Sequence, residues 1–328
     1  MTNKTIRWGM IGTGNVTELK SAPSFNKIEG SRLVAVGNRT YKKAEDYAAR
    51  HGVPTVHKDP SDVIRNPEVD IVYIATPPGS HMEYALETIR AGKPVYIEKP
   101  MARTLEECTI INEEARKAGT PVFVAYYRRG LDYFLKVKSI IDKGSLGKIL
   151  HINLQQYYPA RPEDYNREKL PWRVIAEDAG GGYFYDLGCH ALDILFYIFG
   201  DPLQVSGKNT NVGGLYPVED SLSASLLLPK EVLLSCSWNF VTPEAFRRDL
   251  VEVFGEKGKL EFSIFSFQPL ILHRGGAKES IRTTQPEHIQ MPLIRTIVSQ
   301  LNGKGRCPST GLSAAVTSGV MDIIAAGS

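Results

Sequence analysis

The chain is poor in cysteine and has no long apolar run. Its four cysteines, Cys108, Cys189, Cys236 and Cys307, form no C-x-x-C pair, so the sequence predicts neither a zinc knuckle nor a redox dithiol. Asp, Lys or Pro interrupts every apolar segment well before the ~20 residues that a membrane helix needs. Because the N-terminus, MTNKTIRWGMIG, also lacks the apolar core of a secretory signal, we expect a cytoplasmic protein without a membrane segment.

Charge of one sign is not concentrated anywhere in the sequence. The 39 basic and 36 acidic residues give a formal net charge of +3 and are spread along the chain, which argues against a nucleic-acid surface. With 328 residues, 42% of them hydrophobic and 23% charged, the chain has the composition of a globular protein with two domains of ordinary size. We therefore expect a small-molecule partner.

Strands and helices alternate in the first third of the chain. We predict strands at 5–11, 32–37, 69–75, 94–98 and 121–125, and helices at 18–29, 41–51, 81–91 and 104–118. Alternation on this scale is typical of an α/β fold, in which a doubly wound parallel sheet has helices on both faces.

After about Tyr127 the pattern becomes mostly extended. One amphipathic helix is predicted at 134–143, with strands at 146–158, 203–211, 220–228, 232–240, 249–255, 259–263 and 269–273 and a final helix at 312–326. The hairpin-like spacing predicts a second, α+β domain built on a large open sheet that is mostly antiparallel. We place the first domain at 1–127 and the second at 128–328, and the final helix could pack back on the first domain.

A glycine-rich turn, GTGNVT, follows the first predicted strand. Gly12 allows a tight turn, and Gly14 allows a pyrophosphate to approach the backbone amides at the start of the next helix. Thr17 stands where a dinucleotide fingerprint has Gly or Ala. Any tight turn favours glycine, but this position in an alternating sheet favours dinucleotide binding. The other candidates in the loop are Thr13, Asn15 and Val16.

The end of the second predicted strand indicates which dinucleotide binds. An NAD-binding chain places an acid here for the ribose 2′-hydroxyl, whereas this chain has the neutral Asn38. Arg39 follows it and could face a 2′-phosphate, so the sequence favours NADP over NAD. In the alternative interpretation Arg39 is only a solvated loop residue.

The stretch GGGYFYDLGCHALD, residues 180–193, carries acid/base candidates. On a regular helix Asp186, His190 and Asp193 share one face. His190 could exchange the proton of a substrate hydroxyl, with Asp186 stabilising the imidazolium and Lys99 donating a hydrogen bond to the alkoxide. We expect Asp193 to be a structural partner. Alternatively the Asp/His pair is structural, or it binds a metal, for which the sequence offers no third and fourth ligand.

Five motifs together resemble the Gfo/Idh/MocA oxidoreductase family. They are GMIGTG at 9–14, ATPPGSH at 75–81, AGKPVYIEKP at 91–100, WR at 172–173 and GGGYFYDLGCH at 180–190. The resemblance covers essentially the whole chain. It implies an N-terminal Rossmann domain, a C-terminal open sheet, and NAD(P)-dependent oxidation or reduction of sugars, cyclitols and their relatives.

The resemblance also assigns roles to individual residues. It implies that Thr76 and Pro77 line the dinucleotide and that Glu98 lies beside the nicotinamide. The implied catalytic set is Lys99, Asp186 and His190, with Lys99 also beside the nicotinamide. Further candidate cofactor residues are Gly9, His81, Trp172 and Arg173. His81 could instead simply begin the helix that follows Pro77-Pro78, and Trp172 with Arg173 could be a packing side chain beside a solvated one.

Four further residues are substrate candidates. Tyr127 lies where the chain departs from the family's usual pattern, which carries Asn before the two arginines. Tyr157, Arg161 and Tyr165 follow the long first strand of the second domain, so we expect them in the substrate cleft.

These residues predict an NADP-preferring dehydrogenase or reductase that acts on a polyhydroxylated small molecule. One alternative is a glycosidase of the same fold that keeps its nicotinamide bound and so produces no net change in nicotinamide absorbance. Another is a non-catalytic dinucleotide sensor, which would have no need of the three acid/base residues. Because an open sheet covered on one side has another face to bury, we also expect a homodimer or homotetramer.

Overall fold

The computed structural model describes residues 4–327 and divides the chain into two compact units. The first unit runs to Leu131 and includes Pro286–Ala315; the second comprises Asp132–Gln285 and the chain from Val316 onward. A late segment thus groups with the first unit, whereas the sequence prediction placed residues 128–328 in the second domain and left open that the final helix packs back on the first.

The first unit is built on a six-stranded parallel sheet with the order β3-β2-β1-β4-β5-β6. All four residues of its central strand Ile71–Ile74 are buried, because helices cover both faces of a doubly wound sheet. The predicted doubly wound parallel sheet is confirmed. Its strands are β1 (Ile6–Ile11), β2 (Ser31–Gly37), β3 (Thr55–His57), β4 (Ile71–Ile74), β5 (Val95–Ile97) and β6 (Val122–Val124). Its helices up to this point are α1 (Asn15–Leu19), α2 (Ala22–Lys27), α3 (Tyr41–His51), α4 (Ser61–Arg65), α5 (His81–Arg90) and α6 (Leu105–Ala118).

Two local features of the first unit differ from the prediction. The helix expected at 18–29 is two short helices, because Pro23, in the first turn of α2, lacks the N–H that a continuous helix would need there. The edge strand β3 and the helix α4 were not predicted. β3 has only three residues, all half-buried, and therefore carries no apolar run that a sequence pattern would detect.

The second unit contains an eight-stranded sheet with the order β14-β13-β12-β11-β7-β10-β9-β8. Every neighbouring pair is antiparallel except β7 and β10, which confirms a mostly antiparallel sheet. Its strands are β7 (Ile149–Tyr157), β8 (Gln204–Thr210), β9 (Ser221–Leu228), β10 (Val232–Asn239), β11 (Arg248–Gly255), β12 (Gly258–Phe262), β13 (Leu270–Arg274) and β14 (Ala277–Ile281). Its helices are α7 (Asp132–Asp142), α8 (Ala176–Ala179) and α9 (Cys189–Phe199).

Strand β14 was missed by the sequence prediction. It is almost wholly exposed, so it shows no alternation of apolar and polar residues. The turn before it, Gly275-Gly276, has positive φ at both residues, which is the signature of a tight hairpin. The Gly275-Gly276 dipeptide is the one local feature of the sequence that could have predicted a hairpin ending in β14.

The two faces of the second sheet differ in burial. Side chains that alternate along β9 and β10, such as Leu226, Leu234 and Trp238, are buried. Their neighbours on the opposite face, among them Ser225, Leu233 and Ser235, are exposed. We call this second face the open face of the sheet.

Two helices complete the chain, α10 (Met291–Leu301) and α11 (Gly311–Ala326). α10 belongs to the first unit, and the unit boundary falls within α11. No helix within residues 4–327 combines the length and the apolar character that crossing a bilayer demands.

The start of β4 is tied to β1 by a carboxylate whose charge should stabilise the fold. Asp70 accepts hydrogen bonds from the backbone N–H of Arg7 at 2.9 Å, from its guanidinium at 3.0 Å and from Lys4 Nζ at 2.9 Å. Burial alone would raise the pKa of Asp70, but Arg7 and Lys4 lower it to about 2 from the ordinary value of 3.8. This stabilisation is present above pH 3.8 and lost as the pH falls toward 2.

We therefore predict that Asp70→Asn lowers the free energy of unfolding by about 1–2 kcal/mol at pH 7, after allowance for solvent screening. Urea titrations at pH 7 and pH 3 should show a smaller difference from the unmodified protein at the lower pH. Asp62→Asn is the control, since Asp62 forms only a surface pair with Arg65. An equal cost of Asp70→Asn at both pH values would contradict the prediction.

Candidate functional site

The turn after β1 is tight at Gly12 and open at Gly14. Gly12 has a φ of 97°, and a Cβ there would lie 2.6 Å from the carbonyl oxygen of Ala75. Its N–H donates to the carbonyl of Gly37 at 2.9 Å, which joins the ends of β1 and β2. A Cβ on Gly14 would have no neighbour within 4 Å among the described residues. The loop thus offers both the sharp turn and the open space that a pyrophosphate requires.

Other glycine-motif residues pack rather than face open space. A Cβ on Gly9 would lie 2.5 Å from Val63 and 2.9 Å from Val69, so this glycine allows close packing against β1, and its cofactor role stays a prediction. Thr17 is fully buried, and its hydroxyl donates to the carbonyl of Gly14 at 2.7 Å. Thr17 therefore fits the position where the dinucleotide fingerprint has Gly or Ala, because its hydroxyl forms a hydrogen bond within the same turn. The remaining loop candidates, Asn15 and Val16, are the first residues of α1.

The end of β2 is joined to this turn by Asn38. Its amide donates to the hydroxyl of Thr13 at 2.8 Å, and its oxygen accepts the N–H of Thr40 at 2.8 Å. Two candidate cofactor residues are thereby brought together. Arg39 is exposed, and within residues 4–327 no carboxylate forms an ion pair with it. Its charge is available for an anion.

His81 links two turns of the first unit. The ring is fully buried, and burial lowers the pKa of His81 from its ordinary value. Nε2 lies 2.8 Å from the carbonyl oxygen of Thr76, and Nδ1 lies 3.1 Å from that of Pro100. The imidazole thus bridges the turns that carry Thr76 and Pro100, and its predicted cofactor contact stays a prediction.

A buried hydrogen-bond network holds Glu98 at the end of β5. Its Oε1 accepts from the hydroxyl of Tyr73 at 2.6 Å and from Nε2 of Gln290 at 2.7 Å. The Tyr96 hydroxyl in turn donates to the amide oxygen of Gln290 at 2.8 Å. Burial raises the pKa of Tyr73 well above its ordinary range, so this hydroxyl stays protonated and donates. Neutral donors thus fix a carboxylate that is only 6% exposed.

Lys99 follows Glu98 at the carboxyl end of β5. Its side chain is half-buried, and the peptide bond to Pro100 is cis. The backbone N–H of Lys99 lies 3.3 Å from Oε2 of Glu98. Ligands of open α/β sheets bind at this edge, where parallel strands end.

Two arginines contact the carboxylate of Asp186 in the second unit, a partnership that the sequence prediction did not include. Arg173 donates from Nε to Oδ2 at 3.0 Å, and the guanidinium of Arg161 lies 3.9 Å from the same oxygen. Arg173 also stacks on the ring of Trp172 at 4.5 Å, and Arg161 lies over that of Tyr183 at 4.3 Å. Trp172 and Arg173 are therefore a paired cation–π unit and not a solvated arginine beside a packing ring.

Asp186 and His190 lie on different kinds of helical turn. Asp186 belongs to a π turn, Phe184–Gly188, and His190 to the regular helix α9. Because a π turn has more residues than an α turn, the regular spacing that predicted one shared face does not hold across this junction. His190 is 4% exposed and Asp193 is fully buried, which agrees with a structural role for Asp193.

The three glycines before this turn allow close packing. Gly180 ends α8 with a φ of 87°, and a Cβ on Gly181 would overlap the ring of Tyr185. A Cβ on Gly182 would lie 2.6 Å from the carbonyl oxygen of Glu219. The motif thus sets the path by which the chain enters the π turn.

Tyr157 does not join the side chains around Asp186. Side chains alternate along β7, and Gln156 faces the covered side, where it accepts a hydrogen bond from Trp238 at 2.8 Å. Trp238 packs on Phe184 of the π turn, with ring centroids 4.9 Å apart. Tyr157 lies on the open face, within 2.8 Å of the Ser237 hydroxyl. Its substrate role stays a prediction, but one residue of strand register places its ring on the face of the sheet opposite to Gln156 and Trp238.

The other substrate candidates have different surroundings. Arg161 lies beside Asp186, as predicted for a cleft residue. Tyr127 is buried beneath the guanidinium of Arg128, 4.9 Å from the ring, which makes it a packing residue of the first unit. Tyr165 is 67% exposed.

Sequence patterns missed several residues that support the candidates. Tyr73 and Gln290 hold Glu98, and Phe265 packs on the His190 ring with centroids 5.7 Å apart. Gln290 and Phe265 are separated from the residues they contact by 192 and 75 positions. The tyrosine lies in a strand that was correctly predicted, but nothing local distinguishes its hydroxyl from that of any buried tyrosine.

A cavity of about 690 Å³ lies elsewhere in the first unit, beside α6 and β6. Its lining is mostly apolar and includes none of the candidate residues, so we assign no function to this cavity. Within residues 4–327 no group of three or more His, Cys, Asp or Glu side chains could hold a metal ion.

Comparisons with known proteins agree with this geometry. A family model described as "Oxidoreductase family, NAD-binding Rossmann fold" (GFO_IDH_MocA) matches residues 6–126. A second, described as "GFO/IDH/MocA C-terminal domain", matches residues 134–261.

Individual relatives are similar over almost their whole length. "Oxidoreductase P35" of Formosa agariphila is 35% identical over 321 residues, covering 97% of this chain and 98% of that protein. "1,5-anhydro-D-fructose reductase" of Ensifer adhaerens is 25% identical over 93% of this chain and 91% of its own. Among solved structures, an aldose-aldose oxidoreductase from Caulobacter crescentus, complexed with glycerol, has the same fold, with a TM-score of 0.86 and 24% identity over 97% of this chain and 96% of that one.

Proposed function

Because the chain belongs to the Gfo/Idh/MocA family of NAD(P)-dependent oxidoreductases, we propose that it transfers a hydride between NADP and a secondary alcohol or carbonyl of a sugar, cyclitol or related polyol. The observation that carries this proposal is the arrangement at the carboxyl edge of the first sheet. There an open glycine turn, the Asn38-Arg39 pair and the fixed Glu98 follow the ends of β1, β2 and β5.

The first unit has the features that a dinucleotide requires. The open backbone at Gly14 would receive the pyrophosphate, and Thr13 with Asn38 would contact the adenosine ribose. The exposed charge of Arg39 would pair with a 2′-phosphate, which favours NADP. Glu98 would border the nicotinamide, since its carboxylate is immobilised by Tyr73 and Gln290.

The remaining chemistry is proton transfer, since a bound nicotinamide supplies the hydride acceptor or donor. A secondary alcohol that loses a hydride must also lose its hydroxyl proton, and we assign that proton to His190. Lys99 would donate a hydrogen bond to the alkoxide oxygen as charge develops on it. Asp186 would supply negative charge that favours the imidazolium, while its bond to Arg173 holds the carboxylate in place.

The substrate class is inferred from two observations. The relative from Ensifer adhaerens is named for a reductase of an anhydro-sugar, and it aligns with 93% of this chain. Arg161 and Arg173, each about one third exposed and stacked on an aromatic ring, could donate to several hydroxyl groups.

Self-association and a cytoplasmic location remain predictions from the sequence. The open face supports the first, because it exposes Leu233 beside serines on β9 and β10. A sheet covered by helices on one side has this other face to bury, so we propose a homodimer or homotetramer formed there.

Cofactor choice tests the role of Arg39. NADP(H) should bind more tightly than NAD(H), and Arg39→Ala should reduce the preference by about tenfold to hundredfold because it removes the partner of the 2′-phosphate. Dissociation constants from nicotinamide fluorescence would measure this. Arg32→Ala is the matched control, an exposed arginine at the other end of β2. Equal affinities of the unmodified protein for the two dinucleotides would refute the preference.

Turnover tests the acid/base assignment. Lys99→Ala and His190→Ala should each lower single-turnover hydride transfer by ~10² to 10⁴, with dinucleotide affinity almost unchanged, because neither residue grips the phosphates. Asp186→Asn should lower turnover and shift the pH–rate profile, since it removes the charge that favours imidazolium. His273→Ala, on β13, is the control. Variants with normal melting temperatures and intact hydride transfer would refute the acid/base assignment, whereas lowered melting temperatures with near-normal turnover per folded molecule would indicate a structural role.

Sedimentation tests the assembly. At micromolar concentration we expect a dimer or tetramer, and Leu233→Arg should shift it toward monomer by placing a charge on the open face. Leu105→Arg changes a similarly exposed leucine, 40% against 48%, at the start of α6 in the first unit. A strictly monomeric profile of the unmodified protein would rule out the proposed interface.

A further inference from the structure

An aromatic side chain far from the sequence motifs packs on the candidate proton-transfer group. The rings of Phe265 and His190 are 5.7 Å apart at an interplanar angle of 81°. Phe265 also meets the ring of Tyr158 at 6.1 Å and 90°. His190 is almost fully buried, whereas Phe265 is only half-buried. Edge-to-face contact of this kind favours one orientation of the two rings.

The backbone that carries Phe265 is held by one carboxylate. Asp249, on β11, accepts the N–H of Ile264 with Oδ1 at 3.0 Å. Its Oδ2 accepts the N–H groups of Phe265 and Ser266, each at 2.8 Å. Three consecutive amides of the connection between β12 and β13 therefore share a single side chain, and charge-assisted bonds of this type are strong.

The two ends of the same connection are closed by a tyrosine. The hydroxyl of Tyr133, on α7, accepts the N–H of Ser263 at 3.0 Å and donates to the carbonyl of Gln268 at 2.8 Å. The Ser263 hydroxyl accepts the N–H of Gln268 at 3.1 Å. Within this loop Phe267 adopts a φ of 48°, which is unfavourable for a residue with a side chain. Such a conformation persists only where the surrounding contacts enforce it. In this loop the hydrogen bonds of Asp249, Tyr133 and Ser263 supply those contacts.

A connection between two hairpin strands does not need this number of restraints. They fix two rings of the loop: Phe267 packs on Tyr133, with centroids 5.5 Å apart, and Phe265 packs beside the imidazole of His190. We propose that Phe265 is a positioning residue for His190, and that Asp249 acts on catalysis through Phe265 by holding its backbone. The inference rests on the proton-transfer role assigned to His190 under the proposed function.

The physical reason is the precision that proton transfer demands. An imidazole must present a ring nitrogen within hydrogen-bond reach of the substrate oxygen, and a displacement of about 1 Å can cost ~10²-fold in rate. A ring packed edge-on restricts rotation of the imidazole without competing for its nitrogens. If Phe265 merely filled space, its loss would lower the melting temperature and leave turnover per folded molecule unchanged.

The first experiment compares Phe265→Ala with Phe265→Leu. We expect Phe265→Ala to lower kcat by about 10-fold to 100-fold, with a smaller change in KM and an unchanged dinucleotide dissociation constant. Phe265→Leu should recover part of kcat because it restores an apolar contact. Phe246→Ala is the matched control, since Phe246 is 70% exposed.

The second measurement does not depend on activity. In protein labelled at its seven histidines, the ring C–H resonance of His190 is identified as the signal that His190→Ala removes. Phe265→Ala should move that resonance, because the ring current of the neighbouring phenyl group is lost, and Phe246→Ala should leave it in place.

The third experiment asks whether Asp249 acts through Phe265. Asp249→Asn keeps the shape but cannot accept all three N–H groups, so kcat should fall in the same direction as for Phe265→Ala. The variant that combines Asp249→Asn with Phe265→Ala should have the same kcat as Phe265→Ala alone. If Asp249 affects kcat only through Phe265, its replacement has no further effect once the phenyl ring is gone. If Asp249→Asn does not fold, the kcat values of Phe265→Ala and Phe265→Leu, together with the His190 resonance, test the positioning role of Phe265.

Two outcomes overturn the inference without touching the proposed function. One is an inactive His190→Ala together with Phe265→Ala whose kcat stays within about twofold of the unmodified protein. The other is additive losses in the double variant, which would separate Asp249 from Phe265. An active His190→Ala would instead overturn the proposed acid/base assignment, and the positioning role would fall with it.

Discussion

A carboxylate removed from water must find hydrogen-bond donors, and in this chain that constraint decides where distant segments meet. Glu98 meets Gln290, which is 192 positions away, and Asp249 meets the backbone of Phe265. Asp164, fully buried, accepts from the hydroxyl of Tyr183 at 2.6 Å and from the N–H of Arg161 at 2.7 Å. Leaving any of these groups unpaired would cost about 1–3 kcal/mol or more, which is a large part of the stability of a domain.

The same constraint separates two kinds of acid in the molecule. Glu98, Asp164 and Asp249 are bound by neutral donors, which hold each carboxylate without cancelling its charge. Asp186 is bound by the guanidinium of Arg173 and lies in a π turn, a feature that is frequent at functional sites. A carboxylate held in this way is consistent with the proposed role of Asp186, which is to favour the imidazolium of His190.

Residues of the family motifs fall into two groups when their surroundings are compared. Gly14 and Arg39 face open space and suit contact with a ligand. Gly9 and His81 are buried: Gly9 allows close packing on Val63 and Val69, and His81 contacts the carbonyl oxygens of Thr76 and Pro100. A family motif therefore contains residues that shape the backbone as well as residues that could contact a ligand. A side chain placed with sub-ångström accuracy needs a fixed backbone beneath it.

The sequence by itself determined the fold class, the first parallel sheet and most of the second one. Apolar periodicity and glycine turns are local patterns, and they carry strand, helix and turn information without reference to distant residues. It also located the glycine turn and the Asn38-Arg39 pair, since each lies within a few residues of a strand end. The short β3 and the exposed β14 escaped because neither buries enough apolar surface to leave a pattern.

Only the tertiary structure decided which side chains support the candidate site. The face on which Tyr157 lies depends on a register of one residue, and the partners of Glu98, Asp186 and His190 come from other segments of the chain. Such contacts leave no local signal, because they arise from sheet order, alternation of side chains and the need to satisfy buried polar groups. Sequence patterns connect residues that are near one another in the chain, whereas the hydrogen bonds that position a reactive group join residues that are far apart in it.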